Sequence, residues 1–395
     1  MIYLDNNATT KTDEKVLEEM LPYLKEEYAN PSSMYDFAKK PAMAIQEARV
    51  KVRDFLGAKS EDEIYFTSCG SESANTAIKG ALNCNKAKKH IITTKVEHPC
   101  VLNTYKEFER QGYKVDYIGV NSEGQLNLDE LNEKVTKDTA LVSVMWANNE
   151  NGVINPVAEI SEMVKAKSPE TLMFVDGVQA AGKIPMDVKN TKIDFLGVSG
   201  HKFHAPKGIG ALYAKSSARF VPLINGGHQE RGMRPGTENV PYIVGIGKAA
   251  ELAMDSMNYE LTEVKRLRDK LEQGIIRNVF NARLNSSVKE RVPNTTNIGF
   301  EYVEGELILL HLSDIGVCAS SGSACTSGSL EPSHVLRAMG IPFTALHGSI
   351  RFSLSRFTKE SEIDTVSEKL PSIMDKLTQI SPFQDELSKL RELKR

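Results

Sequence analysis

Asp194-Phe-Leu-Gly-Val-Ser-Gly-His-Lys-Phe-His204 decides the fold: an apolar run gives way to small residues and then presents Ser199, His201 and Lys202. A strand covered on both faces reads as a continuous apolar run, and open α/β sheets place their ligand crevices at the C-terminal ends of such strands. The same pattern recurs on either side. Candidate strands occupy 63–67, 90–94, 115–120, 140–146, 172–176, 195–199 and 210–214. Between them, Val157, Ile160 and Val164 recur at helical spacing, so strands and helices alternate as in a mostly parallel α/β layer. Leu261, Val264, Leu267, Leu271 and Ile275 then predict a long amphipathic helix leaving this layer. A last unit has strands near 297–300, 316–319 and 349–355 and a closing helix marked by Ile363, Val366, Leu370, Ile373 and Leu377. We expect a large domain over 15–255 and a small α+β domain built from 1–14 and 256–395. The tail 386–395 is charged and helix-prone and reads as a solvated end rather than a functional module.

Composition narrows the classes. The chain has 395 residues, with 49 Lys+Arg against 52 Asp+Glu, so nothing marks an electrostatic footprint for nucleic acid. No apolar stretch approaches the roughly 18 residues of a membrane span, and Met1-Ile-Tyr-Leu-Asp5 lacks the character of a signal peptide. Five cysteines without a CxxC pair form neither a disulfide framework nor a zinc site, which points to a reducing, cytoplasmic compartment.

Chemistry concentrates at the strand ends. A desolvated lysine such as Lys202 can form a Schiff base with an aldehyde; otherwise it is one surface cation among many. Asp176, 26 residues earlier, either caps a turn or holds the ring nitrogen of pyridoxal phosphate (PLP) protonated, making the ring an electron sink. After strand 63–67, Gly70 and Ser71 open a helix whose amides can bind an anion, although an ordinary N-cap explains them equally. His98, ahead of Pro99, is either a turn histidine or one that stacks on a flat ring and shuttles protons. Asn149 ends another strand. Arg351 alternates with Ile350, Phe352 and Leu354, so it shares a polar face with Ser349, Ser353 and Ser355, where it is an exposed arginine or a carboxylate clamp. On that reading its truncation costs little stability. Cys325, within Ser320-Ser-Gly-Ser-Ala-Cys-Thr-Ser327, has no apolar neighbours to bury it and suits a thiolate that visits a substrate. Cys69, Cys84, Cys100 and Cys318 fit blander roles.

Together with Tyr3-Leu-Asp-Asn-Asn-Ala-Thr-Thr10, Asn30-Pro-Ser-Ser33, Ser199-Gly-His-Lys202 and Gly226-Gly-His-Gln-Glu-Arg-Gly-Met-Arg-Pro-Gly-Thr-Glu-Asn239, these motifs resemble those of cysteine desulfurases of the NifS type. They are PLP enzymes of the class V aminotransferase group with fold type I. The resemblance runs from Tyr3 to about Asp364. It implies conversion of L-cysteine to L-alanine, with sulfur left as a persulfide and passed to an iron–sulfur cluster scaffold of the NifU/IscU kind. It further implies Lys202 as the Schiff-base lysine, Asp176 at the pyridine nitrogen, His98 stacked on the ring, and Gln179 and Asn149 at the ring oxygen. Gly70, Ser71, Ser199 and His201 would surround the phosphate, with Thr237 reaching the phosphate in the partner of a homodimer. Asn149 and Arg351 would meet the substrate carboxylate, and Cys325 would carry the persulfide. Cys325 is also the one position implied to meet metal, through transient contact of that persulfide with a cluster on the scaffold. Selenium in place of sulfur would use the same geometry.

Overall fold

The computed structural model describes residues 1–321 and 332–393. The chain opens with β1 (Ile2–Tyr3), which pairs in parallel with a strand more than 300 residues later. A seven-stranded sheet follows, built from β2 (Ile64–Thr67), β3 (His90–Thr94), β4 (Lys114–Ile118), β5 (Thr139–Met145), β6 (Leu172–Asp176), β7 (Phe195–Ser199) and β8 (Gly210–Ala214). Its order is β2-β8-β7-β6-β5-β3-β4, and only β8 runs against its neighbours. Every residue of β3, β5, β7 and β8 is buried, which explains why they are continuous apolar runs rather than alternating ones. Because the other six strands are parallel, their C-terminal ends lie along one edge. That edge gathers the loops carrying Gly70, His98, Asn149, Gln179 and Lys202.

The second sheet has the order β12-β10-β9 and is antiparallel, with β9 (Ala282–Leu284), β10 (Thr295–Phe300) and β12 (Ser349–Ser353); β11 (Val317–Cys318) is the partner of β1. Its apolar core joins Leu4 to residues from Val264 to Leu377, separate from the core that runs from Val16 to Ala253 and takes in Val292. The segment after β1 stitches the two together. Asn6 N–H and Nδ2 donate to the Ser353 carbonyl, Asn7 Nδ2 donates to Thr295 Oγ1 at 2.9 Å, and Thr10 N–H donates to the His201 carbonyl.

Two details depart from the sequence reading, and a third follows it. The long amphipathic helix is Lys265–Asn278, preceded by a wide π turn, Glu260–Val264. The extra residue in that turn rotates the apolar stripe, so Leu261 is exposed while Glu260 is buried. The tail follows the reading: helix Gln384–Leu393 buries only Leu387, and Gln384 Nε2 donates to the Thr378, Gln379 and Ser381 carbonyls at the end of the preceding helix. Finally, Arg351 is buried, because both faces of β12 are covered. Among the described residues, no helix is long and apolar enough to cross a membrane.

Candidate active site

A cleft of about 370 Å³ opens at the strand-end edge, between the two sheets. Gly70, Ser71, His98, Asn149, Asp176, Gln179, Ser199, His201, Lys202 and Arg351 all line it. Ten sequence-selected residues from six separate stretches of chain thus meet in one place. Thr237 does not join them; it lies exposed on the Gly226–Asn239 loop. Two arginines of that loop turn inward: Arg231 lies 4.1 Å over the Tyr65 ring and Arg234 Nε is 3.0 Å from Glu72 Oε1. Cys325 lies outside the described residues. Asn7, Cys69, Cys100 and Met145 also line the cleft and had no role in the sequence reading. Asn7 lies within the opening motif, which was the available signal. The thiols gave none, because nothing local tells that the starts of the Gly70–Cys84 and Pro99–Arg110 helices face each other.

Lys202 follows β7 on a short 3₁₀ turn, and its Nζ donates to the carbonyls of Asn7 (2.6 Å) and Ala8 (2.8 Å). Asp176 closes β6. Its Oδ1 accepts from Val178 N–H at 3.0 Å, so it does cap a turn, yet its carboxyl also faces the cleft. Burial pushes that carboxyl above its ordinary pKa, opposed by His98 and Lys202; a further cation in the cleft would pull it back down. His98 N-caps the Pro99–Arg110 helix: Nδ1 accepts from Cys100 N–H at 3.2 Å, which leaves the proton of the neutral ring on Nε2. Burial lowers its pKa, with Lys202 and His334 adding and Asp176 opposing. His201 is held at about 4 by burial and by Lys202, Lys207 and Lys183, so its ring is neutral at pH 7. Cys100 is the opposite of an activated thiol, since burial and Asp176 push its pKa far up.

Arg351 sits across the cleft on β12. Nη2 donates to Asp5 Oδ1 at 2.7 Å and Nη1 to the Asn149 carbonyl at 3.0 Å, while its buried Nε has no partner among the described residues. It is neither exposed nor idle.

The cleft's shape and donors suit a phosphorylated aromatic aldehyde. The first amides of the Gly70–Cys84 helix have no intrahelical acceptor, so they offer an anion three donors and the positive end of a dipole. At Gly70 a Cβ would come within 2.8 Å of Val178 Cγ2, so glycine keeps that approach open. An amine, a buried carboxylate and a neutral imidazole then stand around the space beyond.

Comparison with known proteins agrees. The family model "Aminotransferase class-V" matches residues 2–366. A cysteine desulfurase of Nostoc sp. is 56% identical over 386 residues, covering 98% of this chain and 96% of that protein. The cysteine desulfurase NifS of Azotobacter vinelandii is 51% identical over 382 residues, covering 97% and 94%. A solved NifS-like protein superposes with a TM-score of 0.90 at 40% identity, covering 95% of this chain and 100% of that one. On that breadth of likeness, the chain belongs to the class V aminotransferase family, among its NifS-type cysteine desulfurases, whose cofactor is PLP.

Proposed function

We propose that this protein takes sulfur from L-cysteine as a persulfide on Cys325, releases L-alanine, and passes the sulfur to an iron–sulfur cluster scaffold of the NifU/IscU kind. The observation that carries the reading is the meeting of Lys202, Asp176 and Arg351 in one cleft from different elements of two sheets. They are an amine for an aldehyde, a carboxylate for a ring nitrogen and a guanidinium for a carboxylate.

Lys202 would hold PLP covalently, Asp176 would keep its ring nitrogen protonated, and His98 would cover its face. Gly70, Ser71, Ser199 and His201 would bind the phosphate, with Gln179 and Asn149 near the ring oxygen. When bound, PLP supplies an electron sink for charge left at the substrate's Cα. The remaining work falls to the chain. Arg351, fixed by Asp5 and Asn149, orients the substrate through its carboxylate. Lys202, once its amine is released, is the base beside Cα, and the Asn7 and Ala8 carbonyls steady it. The Cys325 thiolate attacks the substrate sulfur: an S–S bond forms, the C–S bond breaks, and the carbon fragment keeps the electron pair and takes up protons to leave as alanine. The persulfide on Cys325 then meets the scaffold and its cluster.

We further read the enzyme as a homodimer in which Thr237 reaches the partner's cofactor. Support comes from the exposure of Thr237 and of the large apolar residues Tyr28, Met34, Tyr35 and Phe37. We read 15–255 as the large domain and 1–14 with 256–395 as the small one, each around its own core. The four described cysteines are free, which suits a reducing cytoplasm.

Cys325→Ser tests the reading. It should keep the yellow chromophore and bind cysteine, yet make no alanine. Wild type treated briefly with cysteine should carry one extra sulfur on the Cys325 peptide by mass spectrometry. Wild-type alanine production by Cys325→Ser, or the extra sulfur on Cys318, would overturn it.

A further inference from the structure

Behind Gln179 lies a lysine that none of these steps uses. Lys183 is 5% exposed and donates from Nζ to Gln179 Oε1 at 2.5 Å. The chain between them folds so that they meet. The Ala180 and Ala181 amides donate to the Gly177 carbonyl, and the Lys183 and Ile184 amides to that of Ala180. Gly182 takes φ +75°, where a Cβ would lie 2.7 Å from Phe203 Cβ, so only glycine allows the reversal that tucks Lys183 beneath the cleft.

That bond has a directional consequence. A lysine ammonium is a donor only, whereas a glutamine amide has one oxygen and one NH₂. With Oε1 taken by Lys183, the amide must turn Nε2 the other way. There it donates to the Asn7 carbonyl at 3.1 Å, the same carbonyl that receives Lys202 Nζ at 2.6 Å. Gln179 lines the cleft, so its remaining Nε2–H is the polar group it has for an occupant.

We propose that Lys183 is a positioning residue for the PLP ring: by occupying Gln179 Oε1 it makes that amide a donor, never an acceptor, toward the ring's oxygen substituent. This rests on the proposed placing of Gln179 at that oxygen. Charged and titratable groups face Lys183 from several elements: Lys202, His201 and His204 from the segment after β7, Glu260 from the π turn, and Arg351 from β12. Burial, with Lys202, pulls Lys183 down to about 7. The neutral amine could also accept, but the Asn7 carbonyl, an acceptor only, still requires Nε2, so the orientation does not depend on that titration.

The test reads the chromophore of PLP-loaded protein against pH. A donor to the ring oxygen competes with the proton shared between that oxygen and the Lys202 linkage, so losing it should favour the protonated, yellow form. Lys183→Met should therefore raise the midpoint for loss of the yellow form by about one pH unit, the scale of one charge-assisted hydrogen bond, and weaken PLP retention several-fold. Lys183→Arg, still a donor, should titrate close to wild type. Gln179→Ala should shift in the same direction, and the double variant should shift no further. Because Lys183→Met removes one of the two cations that face Glu260, leaving Arg356, Lys183→Met/Glu260→Gln is measured beside it to keep a folded comparison. A wild-type midpoint in either folded Lys183→Met protein overturns the proposal, as does a Lys183 shift that survives whole on the Gln179→Ala background. The parent reading fails separately, if Lys202→Ala still binds PLP covalently.

Discussion

Replacing Arg351 with alanine should destabilise the protein, against what its alternation with serines suggests. The side chain is 2% exposed, and it ties Asp5 Oδ1 (2.7 Å) to the Asn149 carbonyl (3.0 Å). Truncation leaves the mostly buried Asp5 carboxylate facing a void where a cation stood. Breaking a buried pair from one side costs about 3–5 kcal/mol. Unfolding entropy of roughly 2.1 cal/mol/K per residue gives this chain a slope of about 0.8 kcal/mol per degree, so the melting midpoint should fall by about 4–6 °C. Calorimetry on cofactor-free proteins measures this without ligand stabilisation. Asp5→Ala/Arg351→Ala should fall by less than the sum of the single variants, with a coupling of about 1–3 kcal/mol. In the loaded enzyme, Arg351→Ala should weaken cysteine binding roughly ten- to a hundredfold, through loss of a charge-assisted bond of about 1.5–3 kcal/mol. A cofactor-free Arg351→Ala that melts with the wild type would refute the reasoning.

Three further outcomes are expected. Burial and Asp176 push Glu97 from 4.5 to about 8, opposed by the Met145 amide and Thr94 hydroxyl that both donate to Oε1; Oε2 has no partner among the described residues. A raised folded-state pKa contributes stability that is full below the unfolded value and lost as pH climbs through the folded one, so wild type should weaken relative to Glu97→Gln between about pH 5 and 8. Urea midpoints that differ by a constant across that range would count against it. Gly70→Ala should force its methyl on Val178 at 2.8 Å, costing about 1–3 kcal/mol of fit and lowering PLP retention, read by the concentration needed for half-loading. Thr237→Ala and Lys202→Ala, each inactive, should regain partial activity when mixed if their subunits exchange; a fully active monomer in solution would exclude the composite site.

Much of this was legible in the sequence, because its signals are local. The strands at 90–94, 172–176, 195–199 and 210–214 were read to the residue, since a strand buried on both faces cannot conceal its apolar run. The ends of β4 and β5 moved by a residue or two, where apolar residues continue past the last ladder bond. Arg351 was misread for the same physical reason that the others were read well. Alternation of serine with Ile350, Phe352 and Leu354 signals one wet face, but here that face meets Asn285, Asp5 and Asn7, so the serines are dry. Glu97 stands beside His98 in the chain, yet only the folded molecule reveals that its carboxyl is wrapped by β5. Lys183 could not be told from a surface lysine until the turn at Gly182 was seen.

The stitching of Asn6 and Asn7 to Ser353 also sets a timetable. During synthesis these two residues precede their partner by 347 and 346 positions, so they wait through most of translation for it. The core between Val16 and Ala253 needs nothing from so far downstream except Val292, and can close earlier. Lys202 therefore exists within a folded layer before Asn6 and Asn7 are tied to Ser353 and before Asp5 finds Arg351. A nascent chain short of Ser353 carries the amine but not the fastened pocket. The complete cleft, which needs Arg351, is thereby postponed until the ribosome has delivered nearly the whole polypeptide.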